Sequence, residues 1–171
     1  MQQKYVMGIL AGTAGGVAIT VILIIQEIVN MLFAWLPYEE IPDILKVVPV
    51  LFSLLSYGLF GIILLLTGGL SIWMARELLQ DYSEALLVSG ISGVVASLIW
   101  IVINIILTLI LTLTLYNSIS GQGMTAGQTI LIAMGAIIGV DLCCCGPVFL
   151  AFGTVLALIG GGICGLIVVK R

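Results

Sequence analysis

Glu27 is the one ionisable side chain between Tyr5 and Leu36. A carboxylate within an apolar helix is expensive, so it reads as a proton- or cation-binding group unless it reaches the headgroup zone. It stands 22 residues beyond Tyr5, about 33 Å along a helix, which leaves both readings open. Asn30 follows by one helical turn. A second candidate is the stripe Asn104, Thr108 and Thr112, which continues from Ser97. Residues four apart share a helix face. Such a stripe either lines a polar path or bonds to neighbouring helices and to its own preceding turn. The third candidate is Asp141 followed by Cys143, Cys144 and Cys145. Consecutive helical residues diverge by about 100°, so three adjacent thiols face one metal only where the helix breaks. Gly146-Pro147 permits such a break. Otherwise they pack as small hydrophobes, pair as disulfides or carry lipid.

These groups must be positioned by elements that live in lipid. Hydrophobic residues make up 62% of the 171-residue chain and charged residues 8%. A soluble domain carries about a quarter charged residues, so this chain lacks the charge to cover a water-facing surface. There is no histidine, which removes the commonest general base and the usual zinc and haem ligand. The cysteines lack a paired Cys-x-x-Cys with further ligands, so zinc and thioredoxin-like chemistry are not expected. No cofactor, metal site or catalytic constellation is expected. Five scattered basic residues and a net charge of −3 form no basic stripe, which excludes a nucleic-acid partner.

Charges and turn residues divide the chain into four apolar blocks, at about residues 5–36, 47–79, 83–116 and 127–169. Each exceeds the 18 residues that mark a membrane span. The expected fold is an all-α integral membrane four-helix bundle, two hairpins within a single transmembrane domain covering residues 1–171. Lys4 before an apolar run imitates a signal peptide, but the run continues through Gln26 and Glu27 with no small-residue cleavage site, and is read as a retained span. Four spans put Lys4, Arg76, Lys170 and Arg171 on one side and Lys46 on the other. The positive-inside rule then gives cytoplasmic termini. The first block would reach nearly 50 Å as a helix, which requires tilt and interfacial ends or a bundle that projects beyond the outer leaflet. The fourth is longer still, so a break or kink is expected near residues 141–147. The segment 127–140 then spans, re-enters or lies at the interface.

Small residues recur every four positions: Gly8, Gly12 and Gly16 in the first span; Ser89, Gly93 and Ser97 in the third; Gly153, Ala157, Gly161 and Gly165 in the fourth. Lipid offers no hydrophobic force between helices, and small-xxx-small seams drive association by letting backbones approach. The seams pack the monomer or form an oligomer. Most lie toward the termini, with bulky side chains such as Leu32, Phe33 and Phe52 at the far end, so the bundle should be closer packed near the termini. The first and third spans also echo each other at an offset of 77, with Gly12, Gly16, Thr20 and Glu27 opposite Ser89, Gly93, Ser97 and Asn104. That is the pattern of a parallel duplication.

Cys144-Cys145-Gly146 is similar to the Cys-Cys-Gly motif of tetraspanins. There it belongs to a large extracellular loop, which the short 116–127 segment here does not provide, so that family is set aside. Gly68-Gly69 closing the second span and Ser89-Gly90-Ile91-Ser92-Gly93 opening the third resemble small glycine-rich four-pass membrane protein families of unknown function in archaea. The resemblance covers roughly residues 60–100 and implies a fold, with no activity or site attached. The function expected is a non-enzymatic structural or accessory one, as a homo-oligomer or a subunit of a larger membrane complex. The first alternative is a small ion channel or ion-coupled transporter using Glu27, Asn104 and Asp141. The second is a redox or lipid-processing enzyme built on the cysteines.

Overall fold

The computed structural model describes residues 2–35, 42, 47–119, 128, 131, 135 and 146–168, with the side chains of the third helix followed as far as Leu111. Four helices make the architecture: α1 (Gln2–Trp35), α2 (Val48–Ala75), α3 (Tyr82–Ile119) and α4 (Gly146–Val168). Each contains an apolar stretch long enough to cross a membrane. No strand occurs among the described residues. Helices are the only open-ended element that satisfies its own backbone in lipid. The hydroxyls follow the same rule: Thr13, Thr20, Ser56, Thr67 and Thr154 each donate to the carbonyl four residues back.

One boundary differs from the sequence reading, and the last helix begins within the break expected at residues 141–147. α2 stops at Ala75 rather than near Leu79, because the chain tightens into a turn in which the Leu78 N–H donates to the Ala75 carbonyl at 2.8 Å. α4 starts at Gly146, with Pro147 in its first turn, where a missing N–H has no helical partner to lose. Pro49 does the same for α2. Gln128, Leu131 and Gly135 are helical, whereas Asp141, Cys143, Cys144 and Cys145 lie outside the described residues.

α2 and α3 each touch all the other helices, and α1 and α4 occupy opposite corners. α1 and α3 run parallel in a register of about 80 residues, with Gly8 against Val88, Gly12 against Ser92 and Lys4 paired with Glu84. α2 and α4 are also parallel: a Cβ on Gly161 would lie 3.3 Å from the Gly68 carbonyl oxygen. α3 and α4 are antiparallel, with Gly93, Gly153, Gly161 and Gly165 at their contact.

Among the described residues, burial is confined to one end. The buried residues of α1 fall between Lys4 and Gln26, those of α2 between Ser56 and Ala75, and those of α3 between Ala85 and Trp100. Those of α4 fall between Gly146 and Gly165. This is the half that carries the termini. In the far half, residues 27–33, 48–55 and 101–111 include no buried side chain.

Candidate functional site

The closed half ends in a layer of aromatic rings. Trp100 of α3 stacks on Phe149 of α4, with centroids 3.8 Å apart and planes at 15°. Phe60 of α2 meets Phe149 edge-on at 6.4 Å, and Tyr57 meets Phe60 at 5.9 Å. Ile19 and Leu23 of α1 complete the cluster with Leu64 and Ala96. The rings fill the space between helices that no longer approach through small residues.

Around this layer sit the polar groups that helix geometry leaves unsatisfied. Gln26 follows Ile19 and Leu23 on the same face of α1, and is 7% exposed with its Oε1 unpartnered. Trp100 is 8% exposed, and its Nε1–H has no acceptor. Ser97, fully buried one turn earlier, faces Gly153 with its Oγ unpartnered. Each such group costs about 1–3 kcal/mol in an apolar interior. Together they offer one acceptor, one donor and one hydroxyl within the bundle.

Glu27 and Asn30 lie just beyond and are half-buried, as are Asn104 and Thr108. The α1–α3 register puts Glu27 level with Leu107, between Asn104 and Thr108. Thr112 falls past the last described side chain. The sequence reading passed over Gln26 as part of an apolar run; its signal was the spacing Ile19, Leu23, Gln26 on the buried face. Trp100 was likewise missed, and nothing in its sequence surroundings separates a buried indole from an interfacial one.

The second polar site lies at the termini. Lys4 precedes Gly8 by one turn and is carried on the same face into the α1–α3 contact, where its Nζ pairs with Glu84 Oε1. The other oxygen of Glu84 accepts the Gln80 N–H at 3.2 Å. One carboxylate therefore ties α1 to the α2–α3 turn. Lys4 reads from sequence only as a topology signal, yet its position four residues before Gly8 marks the packed face.

The expected packing residues distribute over all the inner contacts. A Cβ on Gly12 would lie 2.6 Å from the Ser92 carbonyl oxygen, and one on Gly16 would lie 2.9 Å from Ile99 Cβ. Gly93 packs on Ala157, Gly161 on Ser89, and Gly165 on Ala85 and Tyr82. Ser89 donates its hydroxyl to the Ala157 carbonyl across the α3–α4 contact. Gly15, Gly68 and Gly160 make approaches as close: Gly15 to Thr67, Gly68 to the Ala157 carbonyl, and Gly160 to the Leu65 carbonyl. Among the described residues no three potential ligands gather as a metal site, and Cys164 is a free, half-buried thiol. Compared with protein families, curated proteins and solved structures, the chain gives no significant match in any of the three.

Proposed function

We propose that this chain is a non-enzymatic membrane protein that acts through helix packing. In this reading it is a structural or accessory element, either a homo-oligomer or a subunit of a larger membrane complex, with both termini cytoplasmic. The observation that carries the reading is the contrast between halves. Near the termini, the interior is filled by small residues, apolar side chains and aromatic rings. The far half offers long apolar faces, including Leu51, Leu54 and Leu55 of α2 and Ile28 and Leu32 of α1. A rigid base with extended apolar arms suits a protein whose work is contact with other membrane helices. The cytoplasmic orientation is supported by the basic residues Lys4, Arg76, Lys170 and Arg171 on the side of the termini.

The test is the mass of the particle extracted into nanodiscs, with any co-purifying chains identified. Several copies, or additional subunits, are expected. A lone monomer at every lipid ratio would overturn the proposal.

A second reading, a small channel or ion-coupled transporter, is favoured by the unpartnered Gln26 oxygen next to Glu27 and the unpartnered Ser97 and Trp100 groups deeper in the bundle. It predicts cation or proton flux in proteoliposomes that Glu27→Gln or Gln26→Leu abolishes. Equal flux in both variants and in empty vesicles would remove it.

A further inference from the structure

The outer surface of the closed half carries a groove of about 750 Å³ along α2, walled by α1 on one side and α4 on the other. Ala14 and Ala18 line it from α1, Gly69 and Trp73 from α2, and Gly160 and Cys164 from α4. Space remains at its floor: a Cβ on Gly69 would meet the Gly160 carbonyl oxygen at 3.7 Å and Cys164 Cβ at 4.0 Å. Along α2 the groove runs from Ile63 to Trp73. That is about 15 Å at 1.5 Å per residue, half the roughly 30 Å hydrocarbon core. The groove is thus one leaflet deep, on the side of the termini.

Its mouth is marked by charge. The Arg76 guanidinium lies 5.4 Å from the centroid of the Trp73 ring, a cation–π arrangement at the level where indoles meet headgroups. The Arg76 side chain is 53% exposed, and its acidic neighbour Glu77, 85% exposed, stands 3.9 Å away. A contact that long between exposed groups leaves the guanidinium able to bind another anion. The sequence adds Lys170 and Arg171 within three residues of Val168.

We propose that this groove holds one acyl chain of an anionic phospholipid whose phosphate pairs with Arg76. A second helix fits less well. Helices approach through small residues, whereas Leu66, Leu70 and Trp73 project from α2 here at 66%, 41% and 58% exposure. A flexible chain threads between such side chains, and a helix backbone is held off by them.

The experiment is native mass spectrometry of the full chain released from nanodiscs of equimolar phosphatidylglycerol and phosphatidylcholine. One retained phosphatidylglycerol is expected, favoured about fivefold per basic contact. Arg76→Gln should retain both lipids equally, and Gly69→Leu should retain neither while keeping the thermal midpoint of the parent. Ala18→Phe blocks the opposite wall, from an exposed position, and serves the same purpose should Gly69→Leu fail to fold. The proposal is overturned if the parent retains both lipids alike, or if phosphatidylglycerol retention survives Arg76→Gln and a blocking variant. It is also overturned if blocking the groove dissociates a dimer, which would make this face an interface between copies.

Discussion

The two halves of α2 are both uncharged and behave differently. Residues 48–55 read Val-Pro-Val-Leu-Phe-Ser-Leu-Leu and contain no buried side chain, while residues 64–75 include six buried positions. The closed stretch owes its burial to volume rather than hydropathy: Thr67, Gly68, Ser71 and Ala75 let α1, α3 and α4 come close. In water the bulkier half would be the better core. In lipid, tails are as apolar as leucine, so only contact distance distinguishes packed from unpacked. Where the small residues end, the helices are bridged by one layer of rings, and beyond it no side chain among the described residues is fully buried.

The largest effect that would break this comparison comes from exchanging two glycines of α2, one in the packed seam and one on its open face. A Cβ at Gly68 collides with the Ala157 carbonyl group, which belongs to the backbone and cannot rotate away. Gly68→Leu is expected to lose the folded bundle, beyond the roughly 1–3 kcal/mol typical of an overpacked core. Gly58, ten residues earlier, has no atom within 4 Å of the point a Cβ would occupy. Gly58→Ala should leave stability unchanged or raise it, by up to about 1 kcal/mol from helix propensity. Equal loss in both variants, measured by thermal unfolding in detergent, would show that the open face of α2 is packed as well. Gly12→Leu and Gly161→Leu extend the test to the α1–α3 and α3–α4 contacts.

The boundary between the halves predicts the next largest effect. Phe60 is 2% exposed and holds the edge-on contacts to Tyr57 and Phe149, whereas Leu54 is 65% exposed on the same helix. Removing a buried ring costs about 3–5 kcal/mol. Phe60→Ala should therefore lower the unfolding midpoint strongly, and Leu54→Ala should change stability by less than about 0.5 kcal/mol. A large loss from Leu54→Ala in nanodiscs but not in detergent would instead place a partner helix on the far half, as the proposed function requires.

These contrasts also show what the sequence could convey. Four spans were legible because uncharged runs of that length have one solution in lipid. The echo between the first and third spans speaks of duplication, and does not say which helices touch or in what register. Apolar side chains substitute freely, so a repeat read at 77 and a contact near 80 differ without leaving a trace in composition. The end of α2 was misplaced because Arg76 and Glu77 suit either a last helical turn or a connecting turn. Gln26 was hidden for a different reason. Its cost comes from the helices around it, and a single chain segment does not reveal whether a polar group next to a carboxylate faces lipid headgroups or a core. Lys4 carried two messages, a topology charge and a part-buried pair with Glu84, and only the first can be read without knowing the fold.

The smallest effect separates two serines that sequence treats as equivalents. Ser89 and Ser97 lie two turns apart on the face of α3 that meets α4, opposite Gly161 and Gly153, and both are fully buried. Ser89 donates to the Ala157 carbonyl, while the Ser97 hydroxyl has no partner. Ser89→Ala removes a real interhelical bond and is expected to cost about 0.6 kcal/mol, the average for such bonds between membrane helices. Ser97→Ala removes a group whose burial is uncompensated, and is expected to leave stability unchanged or raise it. Unfolding in mixed micelles resolves a difference of this size if both variants are measured side by side. The informative reversal is a Ser97→Ala variant that is less stable than Ser89→Ala. That result would mean the Ser97 hydroxyl has a partner in the membrane, and it would make a hydrated polar site in the bundle the stronger reading. The packing scaffold would then be the frame for that site rather than the function itself.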